Sequence, residues 1–263
     1  MNDAGACRLP SAPKTRQLLA LFVLYNNTPV SMAMCLEELW GNHGPRSAVQ
    51  SLHTRIMHIR HALAASPSIG SHEGAKQALT TQHRGYQLHA APGSVDLHHL
   101  ERHVAESRRA EAAGDERRLR FALRAALQLW HGPALTDVEL GSYLQARVTG
   151  LEELRLTLLD QRIEAELRLG MHHELLPELS QLAAEYPAHE NFHAQYMLAL
   201  YRSGRAAQAL DAYHLLRGSL NQNLGIDPSP RLRGIHSAIL NADPELTTPP
   251  SRGRALSLDL FSA

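Results

Sequence analysis

A 34-residue repeat in the second half of the chain constrains the fold most. The segment LRLGMHHELLPELSQL from Leu167 aligns with LYRSGRAAQALDAYHLL from Leu200 at an offset of 34 residues, with Gly170 on Gly204. Four further pairs superpose: Leu175 on Ala209, Leu176 on Leu210, Leu179 on Tyr213 and Leu182 on Leu216. This offset is the tetratricopeptide period, in which helix pairs stack because one pair alone cannot bury its apolar face. The repeat predicts an all-α domain.

Helical periodicity extends beyond the repeat, from Asp96 almost to the carboxyl end. It predicts an antiparallel pair over 97–113 and 116–130, a long helix from about 143 to 169, and a last helix opened by Asp227-Pro228-Ser229-Pro230. The residues after 242 are rich in Pro, Thr and Ser, and we expect a disordered tail there. Its segment Ala255–Phe261 mixes apolar and acidic residues and could dock on a partner, although a disordered end is the favoured interpretation.

The front of the chain predicts three helices. The first runs from about Lys14 to Tyr25, and Ser31 is the expected N-cap of the second, which ends at Gly41. The third spans 47–63 and carries an apolar stripe at helical spacing: Val49, Leu52, Ile56, Ile59 and Leu63. After a loose stretch over 64–74, residues 78–81 and 86–89 form a predicted hairpin with Arg84 at its tip. Three helices and a hairpin bearing a cation match the layout of a winged helix.

The polar face of the third helix is the candidate DNA-reading surface. We expect Ser51, Thr54, Arg55 and His58 to face DNA, with Gln50 at the helix start. Arg60 lies near the edge of the apolar stripe, so packing and a phosphate contact both remain open for it. Arg84 is favoured as a wing contact rather than an idle turn residue. We expect the side chains of Lys14 and Arg16 to be solvated at the start of the first helix rather than to contact phosphate.

The formal net charge of the chain is zero, but the charges are unevenly distributed along it. Through Val95 there are eight Lys and Arg against four acidic residues, so this part carries +4 and the remainder −4. A basic front half that also holds seven of the seventeen histidines suits an anionic partner. The excess is modest and does not by itself establish nucleic-acid binding.

The chain carries LEELWG at 36–41, GYQL at 85–88, LEELRL at 151–156 and LGIDPSP at 224–230, and this run of motifs resembles the Streptomyces antibiotic regulatory protein family. The front half carries LEELWG at 36–41, IMHIRHAL at 56–63, and Thr81 with GYQL at 85–88, which are similar to the family's winged-helix domain. The second half is similar to the family's bacterial transcriptional activation domain: LEELRL at 151–156, LRLG at 167–170, MLALYR at 197–202 with Gly204-Arg205, and LGIDPSP at 224–230. The ordered run of motifs is specific, whereas no single motif is.

The resemblance implies a pathway-level activator that binds direct repeats at a promoter and recruits RNA polymerase, usually for a secondary-metabolite gene cluster. Two departures from the family pattern bear on this expectation. Only about a dozen residues precede the first helix, so the amino-terminal strands are expected to be short or absent. The family often has Arg at the position of His58, so a contact there is expected to be weaker.

Other classes of function were compared with this interpretation. His99 and His103 lie four apart on a helix, as metal ligands can, but no third ligand is apparent and a zinc-hydrolase motif is not formed. No phosphate-cradling Gly loop or nucleophile elbow occurs. Lys14 and Arg16 before the apolar run 18–25 resemble a secretory signal, but a first buried helix is favoured. The two cysteines have no metal spacing and indicate a reduced, cytoplasmic protein.

We therefore predict a mainly α protein, a winged helix-turn-helix with a small β-hairpin wing followed by a tetratricopeptide-like helical repeat domain. The predicted boundaries are a flexible terminus at 1–13, the winged helix at 14–95, the activation domain at 96–242 and the tail at 243–263. Its predicted partners are double-stranded promoter DNA, RNA polymerase holoenzyme and further copies of itself on DNA; no enzyme activity, cofactor, metal or membrane is predicted. The alternative is a protein-interaction scaffold with impaired DNA binding.

Overall fold

The computed structural model describes residues 2–3, 6–7 and 10–247. Within these residues the chain forms two compact units. The first unit comprises residues up to 101 together with 129–155, and the second comprises 102–128 together with residues from 156 onward. The first unit therefore includes a segment, 129–155, that the sequence assigns to the activation domain.

The first unit contains the predicted winged helix. Strands β1 (Asn2–Asp3) and β2 (Ala6–Cys7) form a two-residue antiparallel pair. The elements that follow are α1 (Pro13–Leu24), β3 (Val30–Ser31), α2 (Met32–Trp40), α3 (Ala48–Ala64), α4 (His72–Ala78), β4 (Leu79–Gln82) and β5 (Gly85–Leu88). Ser31 caps α2 as predicted, because its side chain accepts a hydrogen bond from the Met34 N–H at 3.1 Å.

The core of the first unit lies between α1, α3 and the sheet. Helix α1 buries most of its length, including Leu18, Leu21 and Phe22, which are fully enclosed. Helix α3 contributes Leu52, Ile56, Ile59 and Leu63 to the same apolar cluster. The Phe22 ring meets the Tyr86 ring edge to face, with centroids 6.2 Å apart, and this contact joins α1 to β5.

The wing belongs to a three-stranded antiparallel sheet in the order β3-β5-β4. In the hairpin Leu79 pairs with Leu88 and Gln82 with Gly85, so the turn consists of His83 and Arg84. Gly85 is required by the close approach of β3, since a Cβ built there would lie 2.1 Å from the Val30 carbonyl oxygen. The sheet thereby fixes the base of the wing against the start of α2.

Three local features differ from the sequence-based expectations. Val49 is 44% exposed, so it is not part of the buried stripe; it lies in the first turn of α3, outside the apolar cluster. The stretch expected to be loose ends in helix α4, which Ser71 caps through the Gly74 N–H. Strand β3 is only two residues long, too short for an alternating pattern to reveal.

The second unit is helical throughout its described part. Helices α5 (Asp96–Ala112) and α7 (Ser142–Arg168) each contribute residues to both units, and the others are α6 (Glu116–Leu127), α8 (His172–Glu185), α9 (Glu190–Arg202), α10 (Ala206–Leu224), α11 (Pro230–Leu240) and α12 (Pro244–Thr247). The aligned glycines Gly170 and Gly204 both adopt positive φ, 80° and 75°, in the turns before α8 and α10. The expected fold class, a winged helix followed by helical repeats, is confirmed.

A fully buried carboxylate links two helices of the second unit. Glu166 on α7 accepts hydrogen bonds from Arg120 at 2.9 Å, from Arg124 at 2.6 Å and from Arg162 at 3.0 Å. Removing any one arginine leaves the carboxylate paired, whereas removing Glu166 would leave three cations together, one of them buried.

The predicted disordered tail starts at residue 243, yet Pro244–Thr247 form the helical turn α12. Leu246 is buried in the second unit's core, and its carbonyl oxygen accepts a hydrogen bond from Arg202 Nε at 2.8 Å. The remainder of the predicted tail, including Ala255–Phe261, lies outside the described residues, as do positions 1, 4, 5, 8 and 9 of the predicted flexible terminus.

Candidate DNA interface

The polar face of α3 is exposed along most of its length. Gln50, Thr54 and His58 are exposed, and Ser51 and Arg55 are half-buried at its edge. Since Gln50, Thr54 and His58 follow one another at steps of four residues, they form one continuous row on the helix. The structure thus places six of the seven predicted contact residues on one helix, these five and Arg60.

Arg55 is held in place by an aromatic neighbour. Its guanidinium lies 5.9 Å from the centre of the Trp40 ring, within cation–π range, and Trp40 is the last residue of α2. Its Nε is buried and has no hydrogen-bond partner within the described part of the chain. Helix α2 therefore restricts the direction in which the Arg55 guanidinium can extend.

Arg60 connects α3 to the wing. Its Nε and Nη2 both donate to the Leu79 carbonyl oxygen, at 3.0 and 2.7 Å, and Nη2 also donates to Thr81 Oγ1 at 2.9 Å. This bidentate contact positions strand β4 against α3. The two elements predicted to contact DNA are thus held together by one of the predicted contact residues.

Arg84 is exposed at the tip of the wing, where the sequence placed it. Its side chain forms no ion pair with a carboxylate in the described part of the chain. Its backbone is fixed, because the Arg84 carbonyl oxygen accepts a hydrogen bond from the Met32 N–H at 2.9 Å. The side chain can therefore extend from a turn anchored to the start of α2.

The candidate interface is electropositive because acids are absent from its sequence. No Asp or Glu occurs from 41 to 72, a range that contains the whole of α3. Glu73, the next acid, forms an ion pair with Lys76 at 3.6 Å. None of Arg46, Arg55, Arg60 and Arg84 forms an ion pair in the described part of the chain; by contrast, Lys14 and Arg16 pair with Glu139 and Asp137.

Sequence reasoning missed exposed residues that share this face. Met57 is 68% exposed, and it lies three residues after Thr54 and four before His61, which places all three side by side. His53 is exposed as well. Met57 lies off the apolar stripe of α3, so helical spacing could have placed it on this face; it was missed because the contact residues were chosen by polarity.

Helix α2, which supports Arg55, is braced by a buried glutamate. Glu38 is 2% exposed and accepts hydrogen bonds from the N–H groups of Gly141, Tyr143 and Leu144 at 2.7 to 3.0 Å. Its Oε1 also accepts from Gln17 Nε2 at 3.0 Å. The carboxylate therefore caps the amino terminus of α7 from another helix of the first unit. Its neighbour Glu37 accepts a hydrogen bond from the Tyr143 hydroxyl, which raises the pKa of that phenol.

The residues considered for metal binding have other contacts. Within the described residues, no group of three or more His, Cys, Asp and Glu side chains could hold a metal ion. The His99 ring lies 2.9 Å from the Gly93 carbonyl oxygen. Burial raises the pKa of the Cys35 thiol to about 12, so this thiol stays protonated near neutral pH. Among the described helices, none combines the length and the apolar composition that a membrane-spanning helix needs.

Comparison with known proteins matches the second part of the chain to a known domain family. Residues 95–240, more than half of the chain, match the family model of the bacterial transcriptional activator domain. The regulatory protein DnrI of Streptomyces peucetius is 42% identical over 240 residues, which cover 91% of this chain and 88% of that protein. The transcriptional regulator RedD of Streptomyces coelicolor is 35% identical, covering 90% and 67%.

A solved structure is similar over most of the chain. Mycobacterium tuberculosis EmbR, in complex with a low-affinity phosphopeptide, superposes with a TM-score of 0.83 at 30% sequence identity, covering 90% of this chain and 61% of that one. Fold and matches together define the class, a winged-helix transcription regulator with a bacterial transcriptional activator domain. The chain belongs to the Streptomyces antibiotic regulatory protein family.

Proposed function

We propose that this protein is a sequence-specific DNA-binding transcriptional activator of a secondary-metabolite gene cluster. It binds direct repeats at promoters and recruits RNA polymerase holoenzyme. One observation carries the proposal: the exposed polar face of α3 contains no acidic residue and is tied through Arg60 to a wing that presents Arg84. The domain arrangement proposed is a DNA-binding front part and a helical activation part.

The row Gln50, Thr54 and His58 is assigned to base edges in the major groove, with Ser51 and Arg55 beside it. Thr54 Oγ1 donates to the Gln50 carbonyl oxygen at 3.1 Å, so its lone pairs remain available as acceptors for a base amino group. The Ala48 N–H donates to the Pro45 carbonyl oxygen at 2.9 Å, but Ser47 makes no side-chain cap, so the N–H groups of Val49 and Gln50 can bind a phosphate. Arg84 is assigned to the backbone or the minor groove.

Binding is tested by mobility shift with DNA from upstream of the genes adjacent to this one. Phosphate contacts release counterions, so raising salt from about 50 to 200 mM should weaken binding by orders of magnitude. Footprints should show direct half-sites spaced by about one helical turn, roughly 10 to 10.5 bp, or by a multiple of it. A salt-independent affinity or a palindromic footprint contradicts the proposal.

The assignment of elements is tested by substitution. Thr54→Ala and Arg55→Ala should change sequence preference, and Arg84→Ala should weaken binding to all sequences alike. If the first two leave both affinity and preference unchanged while Arg84→Ala weakens binding, α3 is not the reading element. Failure to shift any promoter fragment, with binding to protein partners retained, selects the scaffold alternative.

Recruitment of polymerase is tested separately by transcription with purified holoenzyme. The proposal expects transcript yield to rise with this protein on a template that carries the direct repeats. Inverting one repeat should abolish the increase, because adjacent copies would then meet head to head or tail to tail and could not make the same head-to-tail contact. Equal transcription from both templates contradicts the proposed arrangement.

A further inference from the structure

A cavity of about 420 Å³ lies in the first unit, away from α3. Its walls come from α1, the start of α5, residues 129–136 and one residue of α7, all of which belong to the first unit. The volume falls within the range of small-molecule sites. The lining is predominantly apolar and includes Val23, Leu97, Leu100, Trp130, Leu135 and Leu151.

The segment that forms one wall is fixed rather than loose. The Ala134 N–H donates to Glu152 Oε1 on α7 at 3.1 Å, and the Val138 N–H donates to the Leu135 carbonyl oxygen at 3.0 Å. Leu135 has a φ of 55°, a conformation that is strained for a residue with a side chain, and its side chain packs against the core cluster of the first unit. Packing and hydrogen bonds thus hold a strained backbone in the shape that leaves the cavity open.

The charges at the cavity select the ligand. No Lys or Arg lines it, and its single carboxylate is that of Asp96, the first residue of α5. Asp96 Oδ1 accepts a hydrogen bond from the Leu97 N–H at 2.9 Å. The carboxylate can still accept hydrogen bonds from a ligand. The lining also includes the ring of His131, whose Nδ1 lies 3.2 Å from the Leu129 carbonyl oxygen, but it includes no permanently charged cation to pair with an anion.

We propose that this cavity is a binding site for a predominantly apolar small molecule that carries one amine, with the aromatic or aliphatic body against Trp130 and Leu97 and the amine at Asp96. The proposal is independent of the DNA-binding assignment, since no cavity residue belongs to α3 or to the wing. Part of α1 contributes to the cavity through Ala20, Val23 and Leu24, while Leu18, Leu21 and Phe22 of the same helix lie in the winged-helix core.

Trp130 provides a direct readout. The chain contains two tryptophans, so Trp40→Phe leaves Trp130 as the one indole. Monodansylcadaverine, which joins an apolar naphthalene to a primary amine, absorbs where tryptophan emits. It should bind the full-length Trp40→Phe protein saturably at one molecule per chain and quench Trp130. Dansylglycine, the same fluorophore with a carboxylate, should bind at least about threefold more weakly, and Asp96→Asn should reduce this difference.

Substitutions that fill the cavity with a larger side chain test directly whether the ligand binds there. In the same background, Val23→Phe and Ala134→Phe, on different walls, should each weaken monodansylcadaverine binding by about tenfold or more. Leu215→Phe, at an exposed residue of α10, is the control and should leave binding unchanged. Circular dichroism identifies variants that fail to fold, and one folded filling variant suffices. Absence of saturable quenching, or quenching unaffected by a folded filling variant, overturns the proposal.

Discussion

The backbone of Gly141 lies directly against Glu38. The Gly141 N–H donates to Glu38 Oε1 at 2.7 Å, and a Cβ built on Gly141 would lie 2.2 Å from the Glu38 carbonyl oxygen. The carboxylate therefore reaches the amino terminus of α7 only because residue 141 has no side chain. This contact joins α2 of the winged helix to a residue 103 positions further along the chain.

Replacing Glu38 should destabilise the first unit strongly. Glu38→Gln substitutes an amino group for one oxygen, so a donor would face backbone N–H groups that now donate to a carboxylate. We expect the free energy of unfolding to fall by about 2–4 kcal/mol, measured by urea denaturation. Glu37→Gln is the matched control: its carboxylate is exposed and bonds the Tyr143 hydroxyl, so its loss should cost less than about 1 kcal/mol. Equal effects of both substitutions would contradict the capping role.

Substitutions at Arg60 and Arg84 should distinguish a residue that positions the wing from a residue that contacts phosphate. Arg60→Met removes the charge and the bonds to Leu79 and Thr81, so we expect the free energy of unfolding to fall by about 1–3 kcal/mol. If Arg60 only positions the wing, the slope of log affinity against log salt should stay unchanged. Arg84→Ala should leave stability within about 0.5 kcal/mol and reduce that slope by about one.

The opposite pattern would reassign these two residues. A reduced salt slope for Arg60→Met with unchanged stability would make Arg60 a phosphate ligand. An unchanged salt slope for Arg84→Ala would make Arg84 an idle turn residue, the alternative that the sequence left open.

Met57 should contact a thymine methyl group if α3 reads bases. An apolar side chain beside Thr54 and His61 is suited to the C5 methyl of thymine, the one apolar group on the major-groove edge. Replacing thymine by deoxyuridine in a bound promoter fragment should then weaken binding by about fourfold, the value of one buried carbon. Met57→Ala should remove this difference, and Leu215→Ala, at an exposed position on α10, should retain it. Equal affinity of the wild-type protein for both fragments would show that Met57 does not read thymine.

The stability of the second unit should fall in mild acid. Burial, and then the nearby His189, lower the pKa of His193, and burial lowers that of His172 and His236 in the same direction. Below about pH 6.5, the ordinary histidine pKa, these side chains bind protons in the unfolded chain but not in the folded chain. Their contribution to the free energy of unfolding is therefore complete above that pH and is lost as the pH falls. For His193 the loss between about pH 7.5 and 5.5 is at most roughly 1.4 kcal/mol.

The measurement is urea denaturation at both pH values. His193→Gln should reduce the pH dependence, because its side chain does not titrate in this range. His43→Gln, at an exposed position of the first unit, should leave it as in the wild type. A pH dependence that His193→Gln leaves unchanged would show that other groups account for it.

Local signals in the sequence predicted much of the fold. Four apolar residues of α3, Leu52, Ile56, Ile59 and Leu63, are buried because helical spacing places them on one side. The repeat glycines adopt the positive φ that a turn between helices needs. Both signals depend on neighbours within a few residues or on a fixed period, which a single sequence displays.

Contacts distant in sequence could not be predicted in this way. Glu38 looks like an ordinary helix acid, and its role depends on Gly141, Tyr143 and Leu144. Arg60 was ambiguous because its partner, the Leu79 carbonyl oxygen, is a backbone atom of a strand 19 residues away. The candidate DNA residues Gln50, Thr54 and His58 were found by periodicity, and the same periodicity places Met57 on their side of the helix, although its apolar side chain kept it from being chosen as a contact. What each of them contacts remains a prediction.

The interleaving of the two units affects how the protein can fold during synthesis. Residues 129–155 complete the first unit, but residues 102–128 of the second unit leave the ribosome before them. Until Gly141 and Leu144 emerge, the Glu38 carboxylate lacks the backbone donors of its native contact. A polypeptide that stops at residue 95 therefore lacks the three backbone donors of Glu38, and we expect it to be less stable than the same residues in the full chain.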